Sequence, residues 1–339
     1  MKKYNVAVVG ASGAVGEEIF RVLEEEDFPI ANLVPLASAK SAGNMVEAFG
    51  DEWKILELTH NIFKKEKIEI AFFSAGGSVS AEFAPSAVEA GALVVDNTSH
   101  FRMQEGIPLV VPEVNPQKIK QGSGIIANPN CSTIQMVQVL APLHQEFGIK
   151  RVDVSTYQAV SGAGKKGMEE LIMQMQKFFA FELEDSEVNA FPHRIALNLI
   201  PQIDIFMDNN YTKEEMKMIN ETHKIMEEDF PISATCVRVP VLRSHSESIS
   251  IHFNKKVEAK RAREVLEKAE NIIVLDELEN HIYPMPSIAT DTNQTYVGRI
   301  RRDLYDECVL HLWCVADQLR VGAATNAVRI AQKWIEGKI

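Results

Sequence analysis

The chain has 339 residues, too many for one ordinary hydrophobic core, so two domains are expected. Hydrophobic residues make up 46% and charged residues 24%, a soluble globular balance, and no apolar run reaches the roughly eighteen residues that would span a bilayer. The formal net charge of −12 argues against non-specific nucleic-acid binding and against docking on an anionic membrane, yet leaves room for a local basic pocket that takes a small anion.

The first apolar run, with Val6, Val8 and Val9, is short and ends in a glycine-rich turn. It reads as a buried strand rather than an export signal, which makes the cytoplasm the expected compartment. Gly10, Gly13 and Gly16 follow at three-residue spacing, and Ile19, Phe20, Val22 and Leu23 then recur as one face of a helix. Strand, glycine turn and helix form the context of a dinucleotide cradle. Gly10 permits the turn, Gly13 lets the backbone approach a pyrophosphate, and Gly16 lets helix and strand pack closely. Ser12, Ala14 and Val15 complete the loop, whose free amides face the anion. The spacing G-x-x-G-x-x-G is a variant of the usual fingerprint, and glycine turns also arise by chance.

Asn32–Ser38, Ile68–Gly76 and Ala92–Ser99 are further apolar runs with small or polar ends, and residues 78–91 between the last two read as a helix stopped by Gly91. Alternating strands and helices imply a parallel sheet that presents ligands at its carboxyl ends, here Ser74, Ala75, Gly76 and Asn97. The second strand ends in Ser38, Lys40 and Ser41, with no acid before Glu47. An acid there would bond the ribose hydroxyl of NAD; a lysine and two hydroxyls suit the 2′-phosphate of NADP. The competing reading of Lys40 is a solvated loop lysine.

Cys131, Cys236, Cys308 and Cys314 form no C-x-x-C pair and have no histidine cluster beside them, so neither a disulfide framework nor a metal site is expected. Cysteine is by default a small buried hydrophobe. Cys131 differs in context. Pro129 suits a helix edge, Asn130 is a good cap, and Ile134, Val137, Val139, Leu140 and Leu143 make an apolar helical face. The thiol therefore lies in a first helical turn, where the dipole and free amides favour the thiolate. A reactive thiolate beside a nicotinamide cofactor suggests acyl–thioester chemistry.

The stretches GASGAVG, NPNCSTI, YQAVSGAG, CVRVPVLRSHSESISI and GAATNAVRIA, in this order from residue 10 to residue 331, together resemble the aspartate-β-semialdehyde dehydrogenase family. The resemblance implies an α/β fold: an N-terminal Rossmann-type dinucleotide-binding domain over 1–130, completed by a C-terminal helix over 320–339, and a second α+β catalytic and dimerisation domain over 131–319 with a largely antiparallel sheet. It implies NADP(H) as cofactor, no metal, a small-molecule substrate and phosphate as ligands, and a homodimer or homotetramer without nucleic-acid or membrane partners. The family reduces L-aspartyl-4-phosphate to the semialdehyde and phosphate, on the routes to lysine, threonine, methionine, isoleucine and diaminopimelate. Carried over by motif, Cys131 is the acylated nucleophile, His245 the acid/base and Gln158 the substrate-orienting amide. Arg238 grips the α-carboxylate, and Arg102, Asn130, Glu221 and Lys224 contact phosphate and substrate. Ser161, Gly162 and Asn326 join the cofactor contacts.

The residue chemistry agrees. A substrate with an acyl phosphate, an α-carboxylate and an α-ammonium needs cations for two anions and an acid for the ammonium, and Arg238 offers a planar bidentate fork. His245 lies seven residues after Arg238, consistent with a tight strand connection, and an imidazole ordinarily titrates near neutrality. Taken singly, His245 reads as structural, Arg102 as a surface arginine and Glu221–Lys224 as an ordinary helical pair; His252 and His223 read as structural. Two rivals stand beside this reading. One is an N-acetyl-glutamyl-phosphate reductase, which needs no acid for a free ammonium. The other is a silent NADP-binding protein, which would have no use for Cys131, Gln158, Arg238 and His245 together.

Overall fold

Buried strands and amphipathic helices alternate in the first half of the computed structural model, which describes residues 2–120 and 124–337. The chain divides into two units, Met1–Asn130 with Gly322–Ile339, and Cys131–Val321.

In the first unit the chain runs β1 (Tyr4–Val9), α1 (Ala14–Glu25), β2 (Ile30–Ala37), β3 (Met45–Ala48), β4 (Asp51–Lys54), β5 (Leu56–Glu57), α2 (Ile62–Lys65), β6 (Ile70–Phe73), α3 (Gly77–Glu89), β7 (Leu93–Asp96) and β8 (Ile125–Ala127). Six strands form one sheet in the order β5-β2-β1-β6-β7-β8, every pair parallel. Strands covered on both faces read as unbroken apolar runs, and Val6–Val9 and all of β6 and β7 are buried. The strand order reverses beside β1, so the crevice for a ligand opens at the carboxyl ends of β1 and β6. A C-terminal helix, Thr325–Glu336, returns to this unit, and its Ala327, Val328 and Ala331 share one core with Ile19, Phe20 and Leu23 of α1. That helix falls within the span expected from sequence, of which residues 338 and 339 lie outside the described residues. The hairpin β3–β4 had no counterpart in the sequence reading.

The second unit runs α4 (Cys131–Phe147), β9 (Ile149–Gln158), α5 (Lys165–Phe179), α6 (Lys213–Met226), β10 (Ile232–Arg238), β11 (His245–Phe253), α7 (Ala259–Glu267), β12 (Ile272–Val274), α8 (Pro286–Ala289), β13 (Thr295–Arg302) and β14 (Val309–Ala316). Its sheet has the order β10-β9-β11-β14-β13-β12, with the two outer pairs parallel and the three inner pairs antiparallel. Alternation puts Val152, Val154, Ile249, Ile251, Leu310 and Leu312 on one face, packed with Met136, Val139, Leu140 and Leu143 of α4. The opposite face is half-exposed and carries Tyr157 and Trp313, whose rings lie 5.3 Å apart.

Arg238 and His245 are not joined by a tight strand connection. β10 pairs parallel with β9, and β11 pairs antiparallel with β9 from its other side. The six intervening residues therefore cross over the end of β9, a geometry that parallel pairing demands and sequence adjacency hides. Among the described residues, no helix is long and apolar enough to cross a membrane, and no cluster of three or more His, Cys, Asp or Glu is arranged to hold a metal.

Candidate active site

The glycine turn of the first unit is built for backbone approach. Gly10 sits at φ +93, and a Cβ there would stand 2.9 Å from the Ala75 amide nitrogen and from Ser74 Oγ. A Cβ on Gly16 would stand 2.3 Å from the Gly10 carbonyl oxygen, so α1 packs against the turn only with glycine there. Because α1 begins at Ala14, the amides of Ala14, Val15 and Gly16 lack intrahelical acceptors. Gly76, at φ +103, caps α3 beside this turn. A cavity of about 500 Å³ opens here, lined by Gly10, Ser12, Gly13, Ser38, Ser41 and Ser74 together with Ala75 and an apolar wall that includes Val79 and Phe83. Among the described residues, no acidic side chain lines it. A glycine cradle that any Cβ would fill, with hydroxyls at one end and no acid, fits a dinucleotide. Lys40 stands exposed in the turn after Ser38 and is not part of the cavity wall.

At the carboxyl end of β7 a ladder of amides joins four expected or adjacent positions. Asn128 Nδ2 donates to Asn97 Oδ1 at 2.9 Å, and Asn326 Nδ2 donates to Asn128 Oδ1 at 2.6 Å and to the Val110 carbonyl at 3.0 Å. Arg102 is no surface arginine: it is buried, with Nε donating to the Asn128 carbonyl at 2.9 Å and Nη2 to the Asn97 carbonyl at 2.8 Å. Asn326 Oδ1 is buried without a partner among the described residues, an acceptor left for a ligand donor. Asp96, whose carboxyl burial pushes upward, is held by Ser80 Oγ and Thr98 Oγ1 and ties α3 to the loop carrying Arg102. Asn130, also buried, directly precedes α4.

In the second unit Cys131 is the first residue of α4 and half-buried. Gln158 and Arg238 end neighbouring strands in register. Arg238 is buried, its guanidinium charge disfavoured by burial and supported by Glu214 and, to a smaller extent, by the Cys131 and Cys236 sulfurs, and its Nη1 donates to the Ala159 carbonyl at 2.7 Å. Gly162 closes the group: a Cβ there would meet Arg238 Nη1 at 2.7 Å and His245 Nε2 at 3.4 Å. Ser161 is buried and accepts from Gln318 Nε2, while Gln318 Oε1 takes the Ser244 amide at 2.7 Å.

His245 departs from the expected titration near neutrality. It is fully buried, and burial, reinforced by the positive charge of Arg238, holds its pKa well below the ordinary value. Its Nδ1 accepts from the Ala159 amide at 3.1 Å. The proton of the neutral ring therefore sits on Nε2, which has no partner among the described residues.

Glu221 and Lys224 lie one turn apart on α6. Glu221 is almost wholly buried, and Lys224 is pulled down by burial against support from the Glu221 charge. Two residues of this region escaped the sequence reading. Glu214, two turns before Glu221 on the same buried face, accepts from Gln158 Nε2 at 3.3 Å and from Lys217 at 3.1 Å. Its seven-residue spacing from Glu221 was the available signal. Gln318 gave no local signal at all. His252 pairs with Asp153 at 3.3 Å and His223 Nε2 lies 2.9 Å from the Phe230 carbonyl, both away from these groups.

Residues 5–122 match the family described as semialdehyde dehydrogenase, NAD binding domain, and residues 140–321 match its dimerisation domain. The chain is 65% identical to the aspartate-semialdehyde dehydrogenase of Campylobacter jejuni and 57% identical to one from Helicobacter pylori, each over 99% of both chains. Its fold superposes with a TM-score of 0.95 on aspartate semialdehyde dehydrogenase II of Vibrio cholerae complexed with ASA, 43% identical over the whole of both chains. Matches of this identity and coverage, on a nucleotide cradle and a thiol–imidazole–guanidinium group, leave one family: the chain belongs to the aspartate-semialdehyde dehydrogenases, oxidoreductases that act on an aldehyde and serve amino-acid biosynthesis.

Proposed function

We propose that the protein is the NADP-dependent, phosphorylating form of this enzyme, reducing L-aspartyl-4-phosphate to L-aspartate-4-semialdehyde and phosphate through a thioester on Cys131. The observation that supports it most is the convergence of Arg238 Nη1 and His245 Nε2 on Gly162, with the Cys131 sulfur also bearing electrostatically on Arg238.

The first turn of α4 and the Arg238 charge favour the Cys131 thiolate. Its sulfur bonds the acyl carbon while the carbon–oxygen bond to phosphate breaks, and phosphate leaves with the electron pair. When bound, NADPH would supply the hydride that the thioester carbon needs. Collapse of the tetrahedral adduct restores the carbonyl and releases the thiolate. His245, protonated on Nε2, donates to the oxygen or sulfur that carries negative charge. For it to accept the thiol proton at Nε2 instead, the ring has to surrender its bond from the Ala159 amide. Arg238 takes the α-carboxylate through a fork, Gln158 orients the acyl group, Glu221 pairs with the ammonium, and Arg102, Asn130 and Lys224 receive phosphate. Gly10, Ser12, Gly13, Ala14, Val15, Gly16, Ser74, Ala75 and Gly76 would hold the cofactor's pyrophosphate, and Ser38, Lys40 and Ser41 its 2′-phosphate. Asn97, Asn326, Ser161 and Gly162 would serve the nicotinamide end. The first unit is then the NADP-binding domain and the second the catalytic and dimerisation domain of a cytoplasmic homodimer or homotetramer. The routes served are those to lysine, threonine, methionine, isoleucine and diaminopimelate.

The test is phosphate-dependent reduction of NADP+ with aspartate semialdehyde, run beside N-acetyl-glutamate semialdehyde. Only the first is turned over, and Cys131→Ser binds NADPH but loses activity by several orders of magnitude, since a serine hydroxyl is rarely ionised. Preference for the N-acetylated substrate, or near-normal turnover by Cys131→Ser, overturns the assignment.

A further inference from the structure

Below His245 on the inner face of the second sheet lies a carboxyl group that the mechanism above does not use. Glu247 follows His245 by two residues on β11, so both point to the α4 side. It is fully buried, and neither carboxyl oxygen has a hydrogen-bond partner among the described residues. Its lateral neighbours are fixed by register: Thr156 on β9, with Cys236 beyond it on β10, and Cys314 on β14. None is a cation.

Above this row sits Gln135, one turn into α4 and on the same helix face as Cys131. Its Nε2 donates to the His245 carbonyl at 3.4 Å, while its Oε1 is buried without a partner among the described residues. Three orphaned oxygens thus gather between the helix headed by Cys131 and the strand headed by His245. A carboxylate here would add a charge to acceptors that already lack donors. A neutral carboxylic acid brings one donor, and its single proton pairs one Glu247 oxygen with Gln135 Oε1 while removing the charge from the other.

We propose that Glu247 is a positioning residue, a neutral acid whose hydroxyl donates to the Gln135 amide oxygen and so couples the helix of Cys131 to the strand of His245. Its importance for turnover rests on the reading of Cys131 and His245 as the reacting pair; its protonation does not.

The surroundings agree. Burial pushes the Glu247 pKa well above the ordinary carboxylate range, and the nearby Gln135 amide lowers it only in part, without a full hydrogen bond to either oxygen. The titratable groups around it offer no counter-charge. The Cys236 and Cys314 thiols are driven upward by burial, and the charge of Glu247 would raise both further. His245 is held neutral, the Arg238 guanidinium bears on His245 and Glu214, and Glu214 and Glu215 on α6 are themselves acids facing Cys236.

Two variants of the full-length enzyme test this. Glu247→Gln keeps the shape and a donor but has no proton to lose; Glu247→Leu keeps bulk without a donor. At pH 7 the infrared spectrum of the wild type minus that of Glu247→Gln should show the carbonyl stretch of a protonated carboxylic acid. Glu247→Gln should keep kcat within about threefold, whereas Glu247→Leu should lose about 30-fold or more in kcat with KM for the semialdehyde little changed, the sign of displaced reacting groups. Alkylation of Cys131 by iodoacetamide should change rate in Glu247→Leu and be restored in Glu247→Gln. Absence of the protonated-acid band overturns the proposal, and so does a Glu247→Gln variant as impaired as Glu247→Leu, which would mean that the charge is needed. If Glu247→Leu fails to fold, the infrared band and the Glu247→Gln kinetics still decide. If the band is present but Cys131→Ser remains active, it is the reading of the reacting pair that has failed.

Discussion

Alanine at Gly162 is the smallest change that reaches the groups proposed to hold substrate. The new Cβ would stand 2.7 Å from Arg238 Nη1 and 3.4 Å from His245 Nε2. Gly162 is not among the glycines at positive φ, so alanine meets no backbone strain and the whole effect comes from this close approach. Ordinary contact begins at 3.4 Å, so His245 is merely touched, while Nη1 has to retreat by about 0.7 Å. It is not free to do so without cost, because it donates to the Ala159 carbonyl at 2.7 Å. Misplacement of a substrate-positioning group by about 1 Å costs roughly 100-fold in rate, so kcat/KM for the semialdehyde should fall by about 30- to 100-fold, or about 2–3 kcal/mol of transition-state stabilisation. The assay is phosphate-dependent NADPH formation with semialdehyde varied at saturating phosphate and NADP+, beside a thermal melt to show that the fold is kept. A well-folded Gly162→Ala enzyme with wild-type kcat/KM would refute the assignment of the substrate carboxylate to Arg238.

Cofactor choice is read from the end of β2: NADP should be preferred over NAD by about tenfold or more, about 1.4 kcal/mol, and Lys40→Asp should shift the preference toward NAD. Equal use of both by the wild type contradicts that reading. The two arginines should separate in KM. Arg238→Lys keeps its charge without the fork and should lose about 2–3 kcal/mol in kcat/KM for the semialdehyde, whereas Arg102→Leu should raise KM for phosphate, and for arsenate, most. Equal weakening of phosphate by both variants removes the distinction. The imidazole of His245 has a pKa below its unfolded value, so the unfolded chain takes up the proton first and stability is lost as pH falls through about 6.5. His245→Asn lacks that proton uptake, so its stability relative to the wild type should improve on going from pH 7.5 to 5.5, by at most about 1.4 kcal/mol per pH unit. A difference in melting that stays constant with pH would show that the ring is not held neutral.

What was legible in the sequence was local. Pro129, Asn130 and an apolar face within a few residues specify where α4 starts, and so where Cys131 sits. Three glycines within seven residues specify the cradle. The hairpin β3–β4 was missed because its two-residue loop is Phe49–Gly50, both at positive φ, and phenylalanine there replaces the asparagine or aspartate that normally announces such a turn. The crossover between Arg238 and His245 was missed because strand order depends on β9, which lies some 80 residues upstream. The same limit hid Glu214, Gln318 and Glu247. Each looks like an ordinary polar residue until a fold places it against Gln158, Ser244 or Gln135, partners 56, 74 and 112 residues away.

The ionisation state of His245 shows how far this non-local information reaches into chemistry. A histidine read from sequence comes with a pKa near neutrality and two interchangeable nitrogens. In the fold, burial beside Arg238 removes its charge, and the Ala159 amide occupies Nδ1, which leaves the proton on Nε2. The resting ring is therefore a donor, and on the proposed mechanism a thiolate at Cys131 has to be favoured by the start of α4 and by the Arg238 charge. On the proposed mechanism, one buried cation would serve a nucleophilic thiol and a neutral hydrogen-bond donor together.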